Sequence, residues 1–548
     1  MLRRRDVLRL AALGAAAAAT GCPAPPEAPR TIGGKVHGFD EALAHVLRAG
    51  DLGRRAPDQD EPVDVLIVGA GVAGLTCAWR LRREGVTVRV VEVGDAPGGN
   101  ARSGSNQVSP FPWGAHYLRV PTVEHRALMR FLEEVGIVRG RDARGRIDWD
   151  TRAVVPAPHE RLWEGGLWGP GLFPPPRSHA KDDAGELARF QALVVELSRV
   201  TDAQGRRAFA LPLEHSARTP ELLALDRLSF GAWLEQRGLL ESDAVRWLLE
   251  YGCRDDYGCT LETTSAWAGL HYHVARESDD PSREVTLAWP EGNGRLVQLL
   301  AGPVAAQTTA GALELRGRAV CVRVEPGAAP GASSRAHVWY ADQERLVRHE
   351  ARHLVWAGPQ LSLARALPTP PPWAAAFTYA PWLVANLTLD VAPGGIGAPL
   401  AWDNVFYGKP SLGYVVASRG APAAAPQVVT WYLPLTDADP AAARRRLLAL
   451  DHPAIVDLVR RELDEVHPTL VGRLRSVDAW RWGHALIRPV PGFIWGEARA
   501  AALARQDALL VANSDLSGLP VFEEAFYRGV VAGEEVLRRS GRDFQSLL

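Results

Sequence analysis

"VDVLIVGAGVAGLTCAWRLRREGVTVRVVEVGDAPGGNARSG", Val63–Gly104, has the pattern of a strand, a glycine turn, a helix and a second strand. Its first apolar run is typical of a buried parallel strand. Gly69, Gly71 and Gly74 follow as G-x-G-x-x-G, which permits a tight turn, a close approach of phosphate to the backbone and close helix packing. The first-turn amides of the helix, which contains Ala73, would face a pyrophosphate. The stretch therefore predicts a Rossmann-like dinucleotide-binding unit.

An acidic residue at the end of the second strand supports this prediction. The segment TVRVVEV places Glu92 eighteen residues beyond Gly74. A carboxylate at this position binds the hydroxyl groups of the adenosine ribose in dinucleotide-binding units. These residues alone do not distinguish FAD from NAD.

A second pair of glycines, Gly98 and Gly99, follows Glu92 closely. The segment GDAPGGNARSG resembles the second glycine motif of the amine oxidase and phytoene desaturase superfamily of flavoproteins, Gly-Gly-Arg-x-x-Ser/Thr. Asn100 stands in the position of the motif's arginine, and Arg102, two residues later, is expected to contact the phosphates instead. The resemblance implies FAD, and no cysteine lies near the C-terminal motif to attach it covalently.

Three further segments resemble the superfamily's FAD-binding motifs. LAWPEGNGRLVQLLA resembles the Pro-x-Gly-Gly stretch that returns the chain to the FAD domain, and ARHLVWAGPQ resembles a strand and loop that follow it. In AVCVRVEP, the resemblance implies that Val322 or Val324 lies against the adenine.

The C-terminal segment DALLVANSDLSGLPVFEEAFYRGVVAGEEVLRR resembles the last FAD motif of the superfamily. Asp515 falls at the position of the acid that binds the ribityl–pyrophosphate region, and a helix from about Pro520, including Phe522, would begin beneath the isoalloxazine ring. Its amides would favour the negative charge of reduced flavin. Glu523 and Glu524 replace the usual small pair there, and a carboxylate beside the flavin would oppose reduction, so one or both should turn away or stay protonated.

These motifs predict an α/β fold with a discontinuous Rossmann-like FAD-binding domain and an α+β substrate domain, which has a mixed sheet and a helical insert. Amphipathic runs with three- and four-residue spacing predict the helices, and alternating segments predict the strands. The predicted division is a signal at 1–21, a linker at 22–60, an FAD-binding domain at 61–120, 285–375 and 478–540, and a substrate domain at 121–284 and 376–477.

The substrate is expected to meet the flavin between the two domains. Gly114 would allow a close approach to the ring, and His116 and Tyr117 are candidate catalytic residues, with simple packing as the alternative. Trp482 and His484 are further catalytic candidates. Aromatic residues that could line an apolar pocket are Trp402, Tyr407, Trp482, Trp495 and Phe522.

Two acidic residues, Asp255 and Asp256, leave two interpretations open: they could hold a cationic substrate, or form a solvated or helix-capping cluster. In many amine oxidases a lysine on a substrate-domain strand holds a water near the flavin. Here Ala385 and Asn386 stand where the lysine is expected, which weakens an oxygen-using amine oxidase.

The sequence therefore predicts an FAD-dependent oxidoreductase that takes a hydride from a small substrate, with an amine or amino-acid-like molecule favoured. One alternative is a desaturase, oxidase or isomerase of an apolar polyene- or porphyrin-like molecule, and another is a flavin-binding lipoprotein without turnover. The electron acceptor, oxygen or a quinone, is left open. A net charge of −1 over 548 residues gives no reason to expect nucleic acid, and no Cys or His spacing predicts a metal.

The N-terminal sequence is typical of an export signal. Arg4 and Arg5 precede an Ala/Gly-rich apolar run, which resembles a twin-arginine signal, and ATGC ending at Cys22 resembles a lipoprotein processing site. We expect a periplasmic or membrane-anchored lipoprotein that contacts the membrane only through Cys22. Outside the cytoplasm, Cys253 and Cys259 could pair, although the sequence does not supply the geometry.

Overall fold

A computed structural model describes residues 31–38, 43, 46, 50–174, 183–278, 280–303, 311–505 and 507–548. The predicted signal at 1–21 and the predicted anchor at Cys22 lie outside these residues. Within them, every helix is too short or too polar to cross a membrane.

The described chain alternates strands and helices throughout. The strands are β1 (Val36–His37), β2 (Gln59–Val68), β3 (Val88–Val91), β4 (Ser103–Ser105), β5 (Pro110–Pro112), β6 (Tyr117–Arg119), β7 (Val138–Arg141), β8 (Ile147–Trp149), β9 (Glu160–Glu164), β10 (Leu167–Pro170), β11 (Thr286–Ala288), β12 (Leu313–Arg316), β13 (Ala319–Glu325), β14 (Ser334–Tyr340), β15 (Arg345–Trp356), β16 (Tyr379–Leu389), β17 (Asp403–Phe406), β18 (Gly413–Val416), β19 (Gln427–Pro434), β20 (Leu474–Ile487) and β21 (Leu510–Val511). The helices are α1 (Asp51–Arg54), α2 (Val72–Arg82), α3 (Arg126–Glu134), α4 (Asp183–Ser198), α5 (Pro220–Leu225), α6 (Phe230–Glu235), α7 (Asp243–Tyr257), α8 (Ala266–Val274), α9 (Gly294–Ala301), α10 (Gln360–Ala366), α11 (Pro440–Ala449), α12 (His452–Val466), α13 (Glu497–Leu503) and α14 (Phe522–Arg539).

The first sheet gathers strands from three distant parts of the sequence. Its order is β12-β3-β2-β15-β14-β13, with β21 paired to β15. Strands β12, β3, β2, β15 and β21 run parallel, whereas β14 and β13 are antiparallel. Because β2 lies between β3 and β15, its apolar end is buried on both sides, as the continuous run in the sequence predicts.

Helix α2 packs between this sheet and α14. Gly529 makes the close approach possible, because a Cβ on it would lie 2.4 Å from the Ala73 carbonyl oxygen. A buried ion pair, Arg80 Nε to Glu534 Oε1 at 3.2 Å, joins the same two helices. The C-terminal helix is therefore part of the dinucleotide-binding core, although Gly69 and Pro520 lie far apart in the sequence.

The second sheet has the order β1-β20-β16-β19-β18-β17-β9-β10. It is mixed, since β1 pairs parallel to β20 and β17 parallel to β9, whereas the other neighbours are antiparallel. Strand β16 is buried along its whole length because the sheet is covered on both faces. The α/β fold class with a second, mixed sheet is confirmed.

Two features of the structure bear on the predicted domain boundaries. The boundary at residue 478 falls inside β20, which lies wholly in the second sheet. Residues of α3, assigned by the prediction to the substrate domain, pack in the core with α2 and α14: Phe131 lies 5.5 Å from both Trp79 and Phe526. Strand pairing and helix packing across the chain are not encoded in local periodicity, and the division into domains stays a prediction.

Helices α4 to α8 form the helical insert and share one apolar core. Serine hydroxyls cap three of them: Ser229, Ser242 and Ser265 each accept a hydrogen bond from an amide in the first turn. Helix α7 ends at Gly258, whose φ of 57° is the left-handed conformation that terminates helices. This termination places Asp255 and Asp256 in the last turn of α7.

Candidate active site

The glycine turn between β2 and α2 has the backbone geometry of a phosphate cradle. Gly69 adopts a φ of 106°, and its amide donates to the Val91 carbonyl at 2.8 Å. A Cβ on Gly74 would lie 2.0 Å from the Gly69 carbonyl oxygen, so only glycine fits there. Gly71 is the N-cap of α2 and provides no side chain to cap the first-turn amides, which leaves them for a ligand.

The predicted ribose acid closes one side of this cradle. The Glu92 carboxylate accepts hydrogen bonds from the amides of Ala70 at 2.8 Å and Gly94 at 2.9 Å. Gly71 forms an isolated parallel bridge with Gly98, which brings the second glycine motif against the first. The structure thus brings Gly69, Gly71, Glu92 and the Gly98–Gly99 pair together.

Arg102, the predicted replacement for the motif's arginine, lies beside the same acid. It is 5 % exposed, donates to the Ala96 carbonyl and lies 4.8 Å over the Trp480 ring. Burial lowers the pKa of Arg102, and Glu92 opposes that shift. Its side chain is therefore at the cradle, as expected, whereas Asn100 donates to the Ala485 carbonyl.

The C-terminal motif contributes Asp515 and a helix start. Asp515 Oδ2 accepts hydrogen bonds from the Gln360 amide at 2.9 Å and the Tyr379 hydroxyl at 2.5 Å. Burial raises the pKa of Asp515 to about 6, although these hydrogen bonds oppose the shift. Helix α14 begins after Val521, which provides no side-chain cap, so a second set of first-turn amides is left for a ligand.

Glu523 and Glu524 lie in the first turn of α14 and have different surroundings. Glu524 turns to the helical insert, where its Oε1 accepts from the Leu213 amide at 2.5 Å, and burial raises its pKa. Glu523 faces the cavity described below, and its Oε1 is 3.1 Å from Arg276 Nη2. Of the two carboxylates expected to oppose flavin reduction, that of Glu524 thus turns away, and that of Glu523 is paired with the Arg276 cation.

The residues present fit FAD held without a covalent bond. The cradle consists of two helix N-termini without side-chain caps, the two glycine motifs and the Glu92 carboxylate. A Cβ at the glycines would obstruct it. Ala73 is buried in the first turn of α2, beside Gly529. Val322 is buried in a small apolar cluster that Val93 joins, just beyond Glu92, so its predicted place by the adenine stays a prediction.

A cavity with about 860 Å³ of empty space lies between the cradle and the second sheet. It brings together Gly114 and Phe522, the residues expected to pass the flavin ring, and three of the four catalytic candidates. The lining residues that the following argument uses are Gly114, His116, Tyr117, Asp255, Asp256, Arg276, Asn293, Trp382, Tyr432, Trp482, Phe522 and Glu523.

His116 and Tyr117 both line this cavity. The His116 ring lies 4.7 Å from the ring of Tyr432, and burial lowers the pKa of His116 to about 4, so the imidazole is neutral at neutral pH. The Tyr117 hydroxyl donates to Asp256 Oδ1 at 3.4 Å, and burial raises the pKa of this tyrosine. Neither group is charged at neutral pH, so both can act by packing or by hydrogen bonding.

The structure separates the other two catalytic candidates. Trp482 lines the cavity, with its Nε1 donating to the Trp113 carbonyl at 2.6 Å. His484 does not line the cavity: its ring contacts Arg444 and lies 5.7 Å from the Tyr379 ring. The register of β20 against β16 explains the difference: Trp382 pairs with Trp482 but Ala380 pairs with Leu486, so an irregularity of β20 interrupts the alternation of faces beyond Trp482.

Of the other aromatic candidates, only Phe522 lines the cavity. Trp402 lies 5.7 Å from the His116 ring, behind it. Tyr407 packs with Trp247 at 4.9 Å, and Trp495 packs with Trp267 in the helical insert at 5.3 Å. Most of the tryptophans are buried in the hydrophobic core.

The position where the resemblance predicts a lysine is occupied by a fully engaged amide. Asn386 is 2 % exposed, its Nδ2 donates to the Pro112 carbonyl at 3.0 Å, and its Oδ1 accepts from Thr430 Oγ1 at 2.7 Å. No cysteine lines the cavity, and Cys253 and Cys259 are free and buried thiols. Among the described residues, no cluster of His, Cys, Asp or Glu could hold a metal ion.

One wall of the cavity carries charged side chains that the sequence left ambiguous. Asp255 and Asp256 come from α7, Arg276 follows α8, and Glu523 comes from α14. Arg276 bridges Glu523 at 3.1 Å and Asp256 at 3.9 Å. Burial opposes the charge on Arg276, but these carboxylates outweigh it and raise its pKa. The two aspartates therefore form part of the cavity wall and are not a solvated cluster.

Sequence reasoning missed several wall residues. Trp382 and Val384 both line the cavity from β16, and their alternation along the strand could have identified this face. Arg276 and Asn293 lie beyond helix ends without any local pattern, so only the three-dimensional arrangement identifies them.

Comparisons with known proteins agree with this architecture. Residues 67–135 match the model of the NAD(P)-binding Rossmann-like domain. A thiamine thiazole synthase of Coprinopsis cinerea is 40% identical over 76 residues, which cover 14% of this chain and 21% of that enzyme. The match thus spans about a fifth of that relative's length.

Solved structures match over a much larger part of the chain. Putrescine oxidase bound to putrescine has a TM-score of 0.62 with 14% identity, covering 87% of this chain and all of that one. A fatty acid isomerase from P. acnes has a TM-score of 0.59 with 14% identity, covering 88% of this chain and 99% of the other.

The chain therefore has the two-sheet fold that putrescine oxidase and the fatty acid isomerase share, and the fold predicted from the glycine motifs and the C-terminal motif is confirmed. The residues of the cradle fit FAD.

Proposed function

We propose that this chain is an FAD-dependent oxidoreductase that takes a hydride from a substrate bearing an amine. The observation that carries the proposal is the composition of the cavity: the residues expected at the flavin ring, Gly114 and Phe522, meet a wall with the carboxyl groups of Asp255, Asp256 and Glu523. Arg276 is paired with Asp256 and Glu523, so Asp255 is the carboxyl group of this wall that the ammonium group of a ligand could pair with.

The protein's own residues would supply binding, orientation and exclusion of water. Bound FAD would supply the acceptor for the hydride. Gly69, Gly71 and Glu92 would hold its dinucleotide portion, and the first turn of α14 would face its ring. The rings of Tyr432 and Trp482 would enclose the substrate's apolar part, and the acidic wall would orient its nitrogen.

The experiment is an anaerobic titration of the purified protein. The visible spectrum should be that of an oxidised flavin, and primary amines such as 1-butylamine, benzylamine and 1,4-diaminobutane should bleach it. A polyene, a porphyrinogen and an unsaturated fatty acid form the comparison set. Bleaching by a member of that set and by no amine would refute the amine proposal.

An apolar substrate is the second candidate, for a desaturase, oxidase or isomerase. It is supported by the aromatic part of the cavity, which includes Trp382, Tyr432 and Trp482, and a fatty acid isomerase shares the fold. A flavin-binding lipoprotein without turnover would retain oxidised flavin with every compound in the titration.

We also propose export by the twin-arginine route and a lipid anchor at Cys22, on the sequence alone. The proposed electron acceptor is oxygen or a quinone. Reoxidation of the bleached protein by air, compared with reoxidation by a soluble quinone, distinguishes the two acceptors. Labelling of the mature N-terminus with a radioactive fatty acid tests the anchor.

A further inference from the structure

Two neighbouring carboxyl groups in the cavity wall have different partners. Asp256 accepts a hydrogen bond from the Tyr117 hydroxyl and lies 3.9 Å from Arg276, whose charge favours the carboxylate form, although burial raises the pKa of Asp256. Asp255, the preceding residue, makes no hydrogen bond or ion pair with any residue the structure describes. Groups that share a site but differ in environment commonly take different roles in proton transfer.

A separate observation indicates that the same cavity binds a hydrogen-bond donor. Asn293 is 1 % exposed and lines the cavity; its Nδ2 donates to the Tyr117 carbonyl at 2.8 Å. Its Oδ1 is buried without any hydrogen-bond partner in the described chain. Since a buried acceptor without a partner is costly, a ligand N–H group is a fitting partner for it.

We propose that Asp255 receives the ammonium group of the substrate and removes a proton from it, so that the neutral amine is the form that is oxidised. This inference rests on the proposed amine oxidation. In this step an N–H bond breaks, its electron pair stays on nitrogen, and the proton forms an O–H bond with the Asp255 carboxylate. No electrons leave the substrate, so the step needs neither an oxidant nor a reductant.

The step matters because an ammonium nitrogen has no lone pair. Without that pair, the carbon beside it cannot release a hydride, because the positive charge left on carbon would not be shared with nitrogen. Asp256 cannot take this part while it is paired with Arg276, and Glu523 is paired with the same arginine. Asp255 is the carboxyl group of this wall that remains without such a partner among the described residues.

The surroundings of Asp255 support a group that exchanges protons near neutral pH. Burial raises its pKa, and the nearby charges of Asp256 and Glu160 raise it further, whereas Arg119 opposes them. The other titratable groups that sense Asp255 are Asp403, Tyr117, Tyr251, Tyr272 and Tyr432. A carboxyl group with a raised pKa is a better proton acceptor, once ionised, than an ordinary surface carboxylate.

The test follows flavin reduction by the fastest amine of the panel in anaerobic stopped-flow over a range of pH. The rate should rise with pH as Asp255 loses its proton, which gives an acidic limb. Asp255→Asn should lower the rate by about 10²- to 10⁴-fold and remove this limb. An unchanged rate and limb in that variant would overturn the inference.

Two further variants separate proton transfer from a structural role. Glu160→Gln removes a negative charge that raises the pKa of Asp255, so the limb should move to lower pH. Arg119→Met removes the opposing positive charge, so the limb should move to higher pH. A limb that stays in place in both variants would contradict the assignment to Asp255, even if Asp255→Asn failed to fold.

Asp226→Asn is the matched control. Asp226 is a buried carboxyl group whose pKa burial also raises, but it accepts from the Trp495 amide in the helical insert and does not line the cavity. The rate of flavin reduction and the acidic limb of its pH profile should be the same in Asp226→Asn as in the unaltered protein. A direct readout is the infrared band of protonated carboxyl groups in the FAD-bound protein. Titration with pH should show a component that is present below the pH at which Asp255 ionises and lost above it, and that Asp255→Asn removes and Asp226→Asn retains.

The possible results separate a failure of the proposed amine oxidation from a failure of the role proposed for Asp255. Flavin that no amine bleaches would overturn the proposed function, and the inference with it. If amines bleach the flavin but the acidic limb of the pH profile is the same in the Asp255, Glu160 and Arg119 variants as in the unaltered protein, only the inference is overturned.

Discussion

The two walls of the cavity are built in opposite ways. The cradle wall uses backbone groups: the glycine turn around Gly71 and the uncapped first turns of α2 and α14 present amides to the cofactor. The facing wall uses charged side chains, Asp255, Asp256 and Glu523, which come from separate helices and are balanced in part by Arg276. Backbone amides suit a dinucleotide common to many enzymes, whereas charged side chains can be exchanged to select a substrate.

The largest effect is expected from breaking the cradle with Gly71→Leu. Gly71 has an ordinary φ of −73°, and its nearest neighbour for an added Cβ is Gly99 Cα at 3.9 Å, so leucine should be tolerated in the protein without FAD. The side chain would occupy the space of the pyrophosphate. Loss of two charge-assisted hydrogen bonds, about 1.5–3 kcal/mol each, should weaken FAD binding by about 10²-fold or more.

Calorimetry with FAD and the flavin content of the purified protein measure this effect. Gly394→Leu is the control, because nothing lies within 4 Å of its Cβ position and its φ is not positive. Normal flavin content in Gly71→Leu would contradict the assignment of the cradle to a dinucleotide.

Removal of Arg276, the cation that two carboxylates of the facing wall share, should destabilise the folded protein. Arg276→Met leaves Glu523 and Asp256 without their partner in a buried site, and the free energy of unfolding should fall by about 3–5 kcal/mol. Urea unfolding measures the change. Arg152→Met, which breaks an ion pair with Asp150 at a side chain 85 % exposed, should cost less than about 1 kcal/mol.

A double variant sharpens this result. Adding Glu523→Gln to Arg276→Met removes one of the stranded charges, so part of the lost stability should return. Equal stabilities of the single and double variants would show that Arg276 acts by packing and not by neutralising the wall.

The same contrast explains what the sequence predicts and what it does not. Gly69, Gly71, Gly74 and Glu92 lie within one short stretch, and their spacing alone defines a local strand–turn–helix geometry. The cradle could therefore be predicted, and the C-terminal helix with it, because its motif is also contiguous.

The charged wall could not be predicted in the same way. Whether Asp255 faces solvent or a cavity depends on where Gly258 ends α7 and on the packing of α8 and α14 against it. Trp482 and His484 illustrate the same point: they lie two residues apart on β20, yet only Trp482 reaches the cavity, because strand pairing and bulges set the orientation.

A smaller effect concerns the cradle's second acid, Asp515. Its pKa in the folded protein is raised from 3.8 to about 6, so the folded chain binds this proton more tightly than the unfolded chain. The stabilisation is complete below the unfolded pKa and is lost as pH rises through about 6. This group should lower the free energy of unfolding by on the order of 3 kcal/mol across that window.

Urea unfolding at several pH values tests this expectation. Asp515→Asn should lack the decline between about pH 4 and 7 that the group contributes. Asp437→Asn, at a side chain 67 % exposed, should retain the whole decline. An identical pH dependence in Asp515→Asn and the unaltered protein would show that other groups produce it.

The smallest effect is expected where the two walls touch. The Tyr432 hydroxyl, on β19, donates to the Gly114 carbonyl at 3.2 Å and so joins the second sheet to the segment expected to pass the flavin ring. Tyr432→Phe keeps the ring beside His116 and removes only this bond, at a cost of about 1 kcal/mol in urea unfolding. Tyr527→Phe, whose hydroxyl makes no hydrogen bond within the described chain, should cost nothing measurable. Because the Tyr432 hydroxyl holds the Gly114 carbonyl from the second sheet, Tyr432→Phe should also shift the flavin absorption bands, and unchanged bands would place Gly114 away from the ring.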